Sequence, residues 1–247
     1  MLGLRDAIVG ADDISMQTPP NAQCIALGAV DNIHIQKVSD LKPDLVIATS
    51  TVGGSQATID HMESTGLSVL TLNSERMDDL VGDTFTIGTE CGLEDKAREL
   101  VEKLHAEIKR ICSIVSSIDE PIRAYFESYP DPYVSIGSEH WATDMLKRAG
   151  AKSIFTEVVS PTFTPDEDVI LTLDPEVIFI CWAGMGDDIS DMNKKEILAR
   201  KGWNDVTAIK KKQVYYLPES LFAFPGPKML EGLELLIELI AQTRAVH

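Results

Sequence analysis

Over residues 93–118 the apolar side chains Ala97, Leu100, Val101, Leu104, Ile108, Ile111, Val115 and Ile118 step by three and four. That spacing lays them along one stripe of a single helix of about seven turns, roughly 37 Å long at 1.5 Å per residue. Glu94 and Asp95 fall in its first turn, where negative charge complements the helix dipole. A helix of that length crosses a small domain. It is either an ordinary core helix of one large domain or a connector running through two smaller ones, and a chain of 247 residues with 44% hydrophobic content has room for both.

On either side of this helix, short apolar runs alternate with helical patterns, which is the signature of βα units around a parallel sheet. Before it, residues 45–48 and 68–72 read as strands separated by a helix over 55–65 that Gly66 closes, with weaker strands over 7–11 and 24–27. After Glu120-Pro121 the pattern predicts strands over 122–126, 133–136, 153–155, 177–180 and 214–217. Helices are predicted over 140–148, ended by Gly150, and over 228–241. Thr164-Pro165-Asp166-Glu167 combines an N-cap residue with Pro at the first helical position and Glu at the third, so a short helix is expected to start there. The fold class is α/β, divided as 1–92, the helix over 93–118, and 119–247.

Net charge and motifs narrow the function. A formal charge of −17 repels phosphate backbones and anionic lipid, which leaves a small molecule or a basic protein surface as the partner. GxSxG, HExxH and GxxxxGK[ST] are all absent, so the chain lacks the usual anchors of serine hydrolases, zincins and P-loop enzymes. Gly184-Met185-Gly186 follows a strand as a dinucleotide fingerprint would, but Ile189 stands at its sixth position and Asp187 and Asp188 would repel a pyrophosphate. The cysteines Cys24, Cys91, Cys112 and Cys181 form no CxxC pair and read mainly as buried thiols. The five histidines are not paired at helical spacing, so no preformed metal cage is expected. No apolar run approaches the roughly 20 residues of a membrane span, and no leader is evident at Met1. An extracytoplasmic protein whose leader has been removed and a cytoplasmic one both fit.

In open α/β sheets ligands gather at the carboxyl ends of strands. That rule selects Thr49, Ser50 and Thr51 after the strand over 45–48, and His140 and Trp141 at a strand-to-helix turn. It also selects Trp182 and Gly184 after the strand over 177–180, and Phe222 and Phe224 after the strand over 214–217. Aromatic and small polar groups at strand ends suit a large, mostly apolar ligand held by a few hydrogen bonds. For each of them hydrophobic packing, or for His140 a capping role, is the competing reading.

The run Leu41-Lys42-Pro43-Asp44-Leu45-Val46-Ile47-Ala48, the long helix, Asp174-Pro175-Glu176-Val177-Ile178, Gly202-Trp203 before Ala208-Ile209-Lys210, Gln213-Val214-Tyr215 and Pro225-Gly226-Pro227 together resemble the type III substrate-binding proteins of metal-chelate importers. The resemblance covers nearly the whole chain. It implies two Rossmann-like lobes joined by a backbone helix, and a cleft for cobalamin, haem or a ferric siderophore. The stretch from Asp131-Pro132-Tyr133-Val134 through His140-Trp141 to Met145 and Gly150 is similar to a cobalamin-binding subgroup. The family also implies an ABC permease as partner, docked through an acidic residue on each lobe. On the second lobe the match falls at Asp168 with Glu167 beside it. On the first lobe no acid follows Gly53-Gly54, and Asp60 or Glu63 is the substitute. Members normally open with a strand and helix ahead of the equivalent of Leu2-Gly3-Leu4, so the first lobe is expected to be short of a central element.

The resulting expectation is a non-catalytic binding protein with no cofactor and no resident metal, carrying a corrinoid or ferric chelate. A tetrapyrrole metal chelatase using His140 and a carboxylate is one alternative, and an intracellular corrinoid carrier is another.

Overall fold

The computed structural model describes residues 2–17, 21–29, 32–50, 55–115, 120–182, 197–222, 226 and 228–245. The chain separates into two compact units, Met1–Ser74 with Gly82–Val101, and Glu75–Val81 with Glu102–His247.

In the first unit four short strands come first: β1 (Gly10–Ala11), β2 (Ile25–Ala26), β3 (Gly28–Ala29) and β4 (Asn32–Ile33). β1 pairs with β2 in parallel and β3 with β4 antiparallel. Helix α1 (Ile35–Leu41) stops at Lys42, whose left-handed φ of 48° turns the chain toward Pro43. A βαβ unit follows, made of β5 (Val46–Thr49), α2 (Ser55–Ser64) and β6 (Val69–Leu72), with parallel register from Val46↔Val69 to Thr49↔Leu72. These match the expected strands and helix to within a residue or two. Val38, Ile59 and Met62 are buried at the centre of this half, packed by Leu27, Val46, Ala48 and Val69.

Among the described residues β1–β2 and β5–β6 remain separate two-stranded ladders. A cavity of about 950 Å³ is lined by Ile8, Val9 and Gly10 from one and by Val46, Ile47 and Ala48 from the other. Ile47 is mid-strand yet 48% exposed, whereas strands of parallel sheets are normally buried on both faces.

α3 (Met77–Glu90) was not foreseen from the sequence, and α4 (Glu94–Cys112) is the long helix, continued by a 3₁₀ turn over Ser113–Val115. Residues 116–118 of the expected helix lie outside the described residues. On its apolar stripe Ala97, Ile108 and Ile111 are buried and Leu100, Val101, Leu104 and Val115 are half-buried. Glu94–Val101 falls in the first unit and the remainder in the second.

The second unit holds β7 (Ile122–Pro130), β8 (Tyr133–Ile136), α5 (Trp141–Arg148), β9 (Ala151–Ser153), β10 (Thr162–Phe163), α6 (Glu167–Leu173), β11 (Val177–Ile180), α7 (Thr207–Lys210), β12 (Val214–Tyr216), α8 (Glu219–Phe222) and α9 (Met229–Ala245). The sheet order is β10-β8-β7-β11-β12, with β9 pairing the start of β7. β7, β9, β11 and β12 run parallel; at one side β8 pairs antiparallel with β7, and β10 antiparallel with β8. All four residues of β11 are buried. Period-two alternation puts Tyr125, Ile178 and Ile180 into one core cluster with Trp182, Trp203, Ile197 and Ile209.

The helix expected to open at Thr164 starts later. Asp166 is the N-cap of α6, extended at ψ 129°, and its Oδ1 accepts from the Asp168 N–H at 2.9 Å. The cause is local: a residue before proline avoids the helical region, so Thr164 extends the chain and the short Asp side chain takes over the cap.

The meeting of α3 and α4 in the first unit is tight. A Cβ at Gly88 would lie 2.3 Å from the Ala97 Cβ, and Ala97 is fully buried. Gly88→Ala is therefore expected to push these helices apart and lower the unfolding free energy by about 1–3 kcal/mol in urea titration.

Candidate functional site

The strand ends of the second unit carry most of the chemistry. After β8 the chain passes Gly137, where a Cβ would lie 2.2 Å from the Ser160 carbonyl oxygen, and its own carbonyl accepts from the Thr143 hydroxyl at 2.6 Å. This close packing delivers His140 to the head of α5. There its backbone is extended and its Nδ1 accepts from the Ala142 N–H at 3.1 Å, so the imidazole caps the helix and carries its proton on Nε2. The ring stacks on Trp141 with centroids 3.9 Å apart. Burial pushes the His140 pKa down to about 3, since the imidazolium would be desolvated. Trp141 is buried as well and donates its indole N–H to the Phe222 carbonyl at 3.1 Å, which joins α5 to α8.

His140, Trp141 and Phe222 are thus brought together, each with a capping or packing duty in this structure. Trp182 sits separately, 1% exposed in the core cluster around β11. Thr51, Gly184 and Phe224 lie outside the described residues. In the first unit Thr49 and Ser50 do stand at the end of β5. Ser50 donates its N–H to the Leu72 carbonyl at 3.0 Å and its hydroxyl to Asn73 Oδ1 at 3.2 Å, closing the β5–β6 ends together.

A group the sequence reading missed lies beneath Trp182. Glu127 on β7 is wholly buried, and its carboxylate accepts from the indole N–H of Trp182 at 2.9 Å, from the Tyr125 hydroxyl at 3.1 Å and from both Arg200 terminal nitrogens at 2.6 and 2.9 Å. The Arg200 guanidinium lies 4.2 Å from the Tyr133 ring centroid and 4.9 Å from that of Trp203. The ion pair holds Arg200 charged, and burial beside Glu127 pushes the Tyr125 hydroxyl far above its ordinary pKa. The signal available in the sequence was one acid inside an apolar strand, which has to find a cationic partner when buried.

Trp203 is fully buried in a 3₁₀ turn and donates its indole N–H to Glu167 Oε1 at 2.6 Å. Glu167 therefore ties α6 to that turn, while its neighbour Asp168 is exposed. On α2, Asp60 and Glu63 are exposed, and Asp60 accepts from the Gln56 amide at 2.7 Å. Among the described residues no three His, Cys, Asp or Glu side chains are grouped so as to hold a metal ion.

The profile of the family described as periplasmic binding protein matches residues 1–221. An uncharacterized ABC transporter substrate-binding lipoprotein of Bacillus subtilis, YvrC, is 29% identical over 244 residues, covering 97% of this chain and 74% of its own. The solved periplasmic vitamin B12 binding protein BtuF of Vibrio cholerae superposes with a TM-score of 0.81 at 18% identity, over 98% of this chain and 91% of that one. Staphylococcus aureus IsdE complexed with heme superposes with a TM-score of 0.81 at 19% identity, over 94% and 91%. At these identities the two structures establish the fold, an α/β architecture of the type III binding-protein kind.

Burial of neutral His140 has a pH signature. Its folded pKa is depressed below the ordinary imidazole value of 6.5, so acidification protonates the unfolded chain first, and stability present above about pH 6.5 drains away toward pH 3. Between about pH 7 and about pH 5 the parent should lose roughly 2 kcal/mol more unfolding free energy than His140→Asn, which keeps a capping acceptor without a titrating group. Equal pH slopes for the two proteins in urea titration would contradict the buried neutral imidazole.

Proposed function

Because the chain belongs to the periplasmic binding protein family, we propose that it is the substrate-binding component of an ABC importer and that its ligand is a corrinoid, with cobalamin foremost. The observation that carries the choice of ligand is the stretch from Asp131 to Gly150, which resembles a cobalamin-binding subgroup and includes Tyr133, His140 and Trp141 at the strand ends of the second unit. The fold shared with a vitamin B12 binding protein supports the same reading. A ferric or haem chelate is the second reading, favoured by the equal structural likeness to a heme-bound relative.

The mechanism is binding without a bond-making step. A macrocycle presents a broad apolar face that rings and small polar groups at strand ends can cover, and the protein then hands it to a permease. Asp168 is the acid we assign to permease docking on the second unit, since Glu167 is engaged by Trp203. Asp60 and Glu63 are the exposed acids on α2 available for the same task on the first. Such docking takes place outside the cytoplasm, which is where we place this protein. His140 takes part as an element that holds Trp141 and the head of α5. Its Nδ1 already accepts a backbone hydrogen bond, so we assign it no axial metal contact.

Calorimetry with cyanocobalamin, hemin and a ferric siderophore is the test. Cyanocobalamin is expected to bind below about 1 μM, a free energy near −8 kcal/mol. Preference for hemin or a ferric siderophore would move the assignment to the second reading, and failure of all three to bind tighter than about 100 μM would overturn both. Asp168→Lys should leave that affinity unchanged and reduce permease-dependent uptake. Uptake equal to the parent's would remove the docking role.

A further inference from the structure

β11 is the central strand of the second unit, and the chain leaves it through Cys181 and Trp182. The chain is next described at Ile197, and Arg200 follows three residues on. Trp182 and Arg200 therefore stand at the two ends of one connection, whose residues 183–196 lie outside the described residues. Both ends converge on one side chain. Glu127 Oε1 accepts from Trp182 Nε1 and from Arg200 Nη2, each at 2.9 Å, and Glu127 Oε2 accepts from Arg200 Nη1 at 2.6 Å. Tyr125 completes the set, and the side chains of Glu127 and Arg200 are 0% and 5% exposed.

An ion pair buried this completely is a poor source of stability. Removing two charges from water offsets most of their attraction, and apolar replacements are often neutral or better. What the arrangement does supply is geometry. A planar guanidinium gripped in a two-point fork, with Tyr133 and Trp203 against it, has little freedom left. The same carboxylate also fixes the orientation of the Trp182 indole. Trp182 itself lies just past the carboxyl end of the central strand, the edge where ligands of open α/β sheets bind.

We propose that Glu127 is the positioning residue of the ligand site in the second unit, a buried carboxylate that touches no ligand but holds Trp182 and Arg200 at a fixed separation. Affinity for the chelate then depends on a residue inside the sheet. The inference rests on the chelate-binding reading and adds to it a specific determinant of affinity.

Two variants separate positioning from plain stability. Glu127→Gln keeps the volume and one acceptor but leaves Arg200 buried without a counter-charge. Glu127→Gln combined with Arg200→Met removes both charges. Thermal midpoints and calorimetric Kd for cyanocobalamin are read at a temperature where every variant is fully folded. The single variant is expected to lose thermal stability and to bind roughly tenfold more weakly, and the double variant to recover the midpoint but not the affinity. Affinity within about twofold of the parent in both variants, or recovered together with the midpoint in the double variant, overturns the proposal. If the parent binds no corrinoid, hemin or ferric siderophore, the chelate reading falls by itself. The anchoring is then judged by native trypsin cleavage after Arg200, which Glu127→Gln should accelerate about tenfold and which must stay at the parental rate if Glu127 anchors nothing.

Discussion

The second unit depends on one constraint, the burial of β11 on every side. Val177–Ile180 has β7 and β12 as parallel partners and no exposed residue, so both faces must be covered and both edges paired. Parallel pairing also sends β7, β11 and β12 out of the sheet at the same edge. Glu127, Trp182 and Leu217 consequently reach the same edge, and a strand-end site follows from the way the core is satisfied. Backbone bonds there run from one strand end to the next: the Cys181 N–H donates to Glu127 O and the Leu217 N–H to Ile180 O.

Placing a carboxylate at that edge, inside the apolar cluster of Tyr125, Ile180 and Trp203, is costly unless every lone pair is met. Four donors reach the two oxygens of Glu127, and all of them come from three aromatic or guanidinium side chains that also fill volume. Polar satisfaction and packing are here the same contacts. His140 solves a comparable problem differently. It remains neutral, spends its one acceptor on the Ala142 N–H, and lays its ring against Trp141.

The elements legible in the sequence were those with a compact apolar run or a strong helical period. β11 and β8 lie where short apolar runs put them, and nineteen residues of the long helix lie where three-four spacing does. α3 was not legible because Gly82, Gly88 and three threonines dilute its helical pattern, yet Gly88 is the residue that lets α4 approach. Among candidate site residues, position at a strand end was readable and orientation was not. Nothing local in the sequence tells an indole that faces a ligand from one that donates to a buried carboxylate, as Trp182 does, or to a carbonyl on another helix, as Trp141 does. The burial of Trp203 was not legible because a three-residue 3₁₀ turn has no period to betray it. Arg200 escaped notice because its partner is 73 residues away in sequence.

The same contrast separates the two units in their capacity to present charge to a partner. Asp168 projects from α6, which is held by Ile170 in the large core cluster, by the Asp166 cap and by the Glu167–Trp203 hydrogen bond. Asp60 and Glu63 project from α2, whose buried residues Ile59 and Met62 belong to a much smaller cluster beside an open cavity of about 950 Å³. Local opening is easier where few apolar contacts and unpaired ladders support an element. An acid on α6 is therefore pre-organised, whereas an acid on α2 rides on a helix with less beneath it, and ordering that helix draws on the energy of whatever contact it makes.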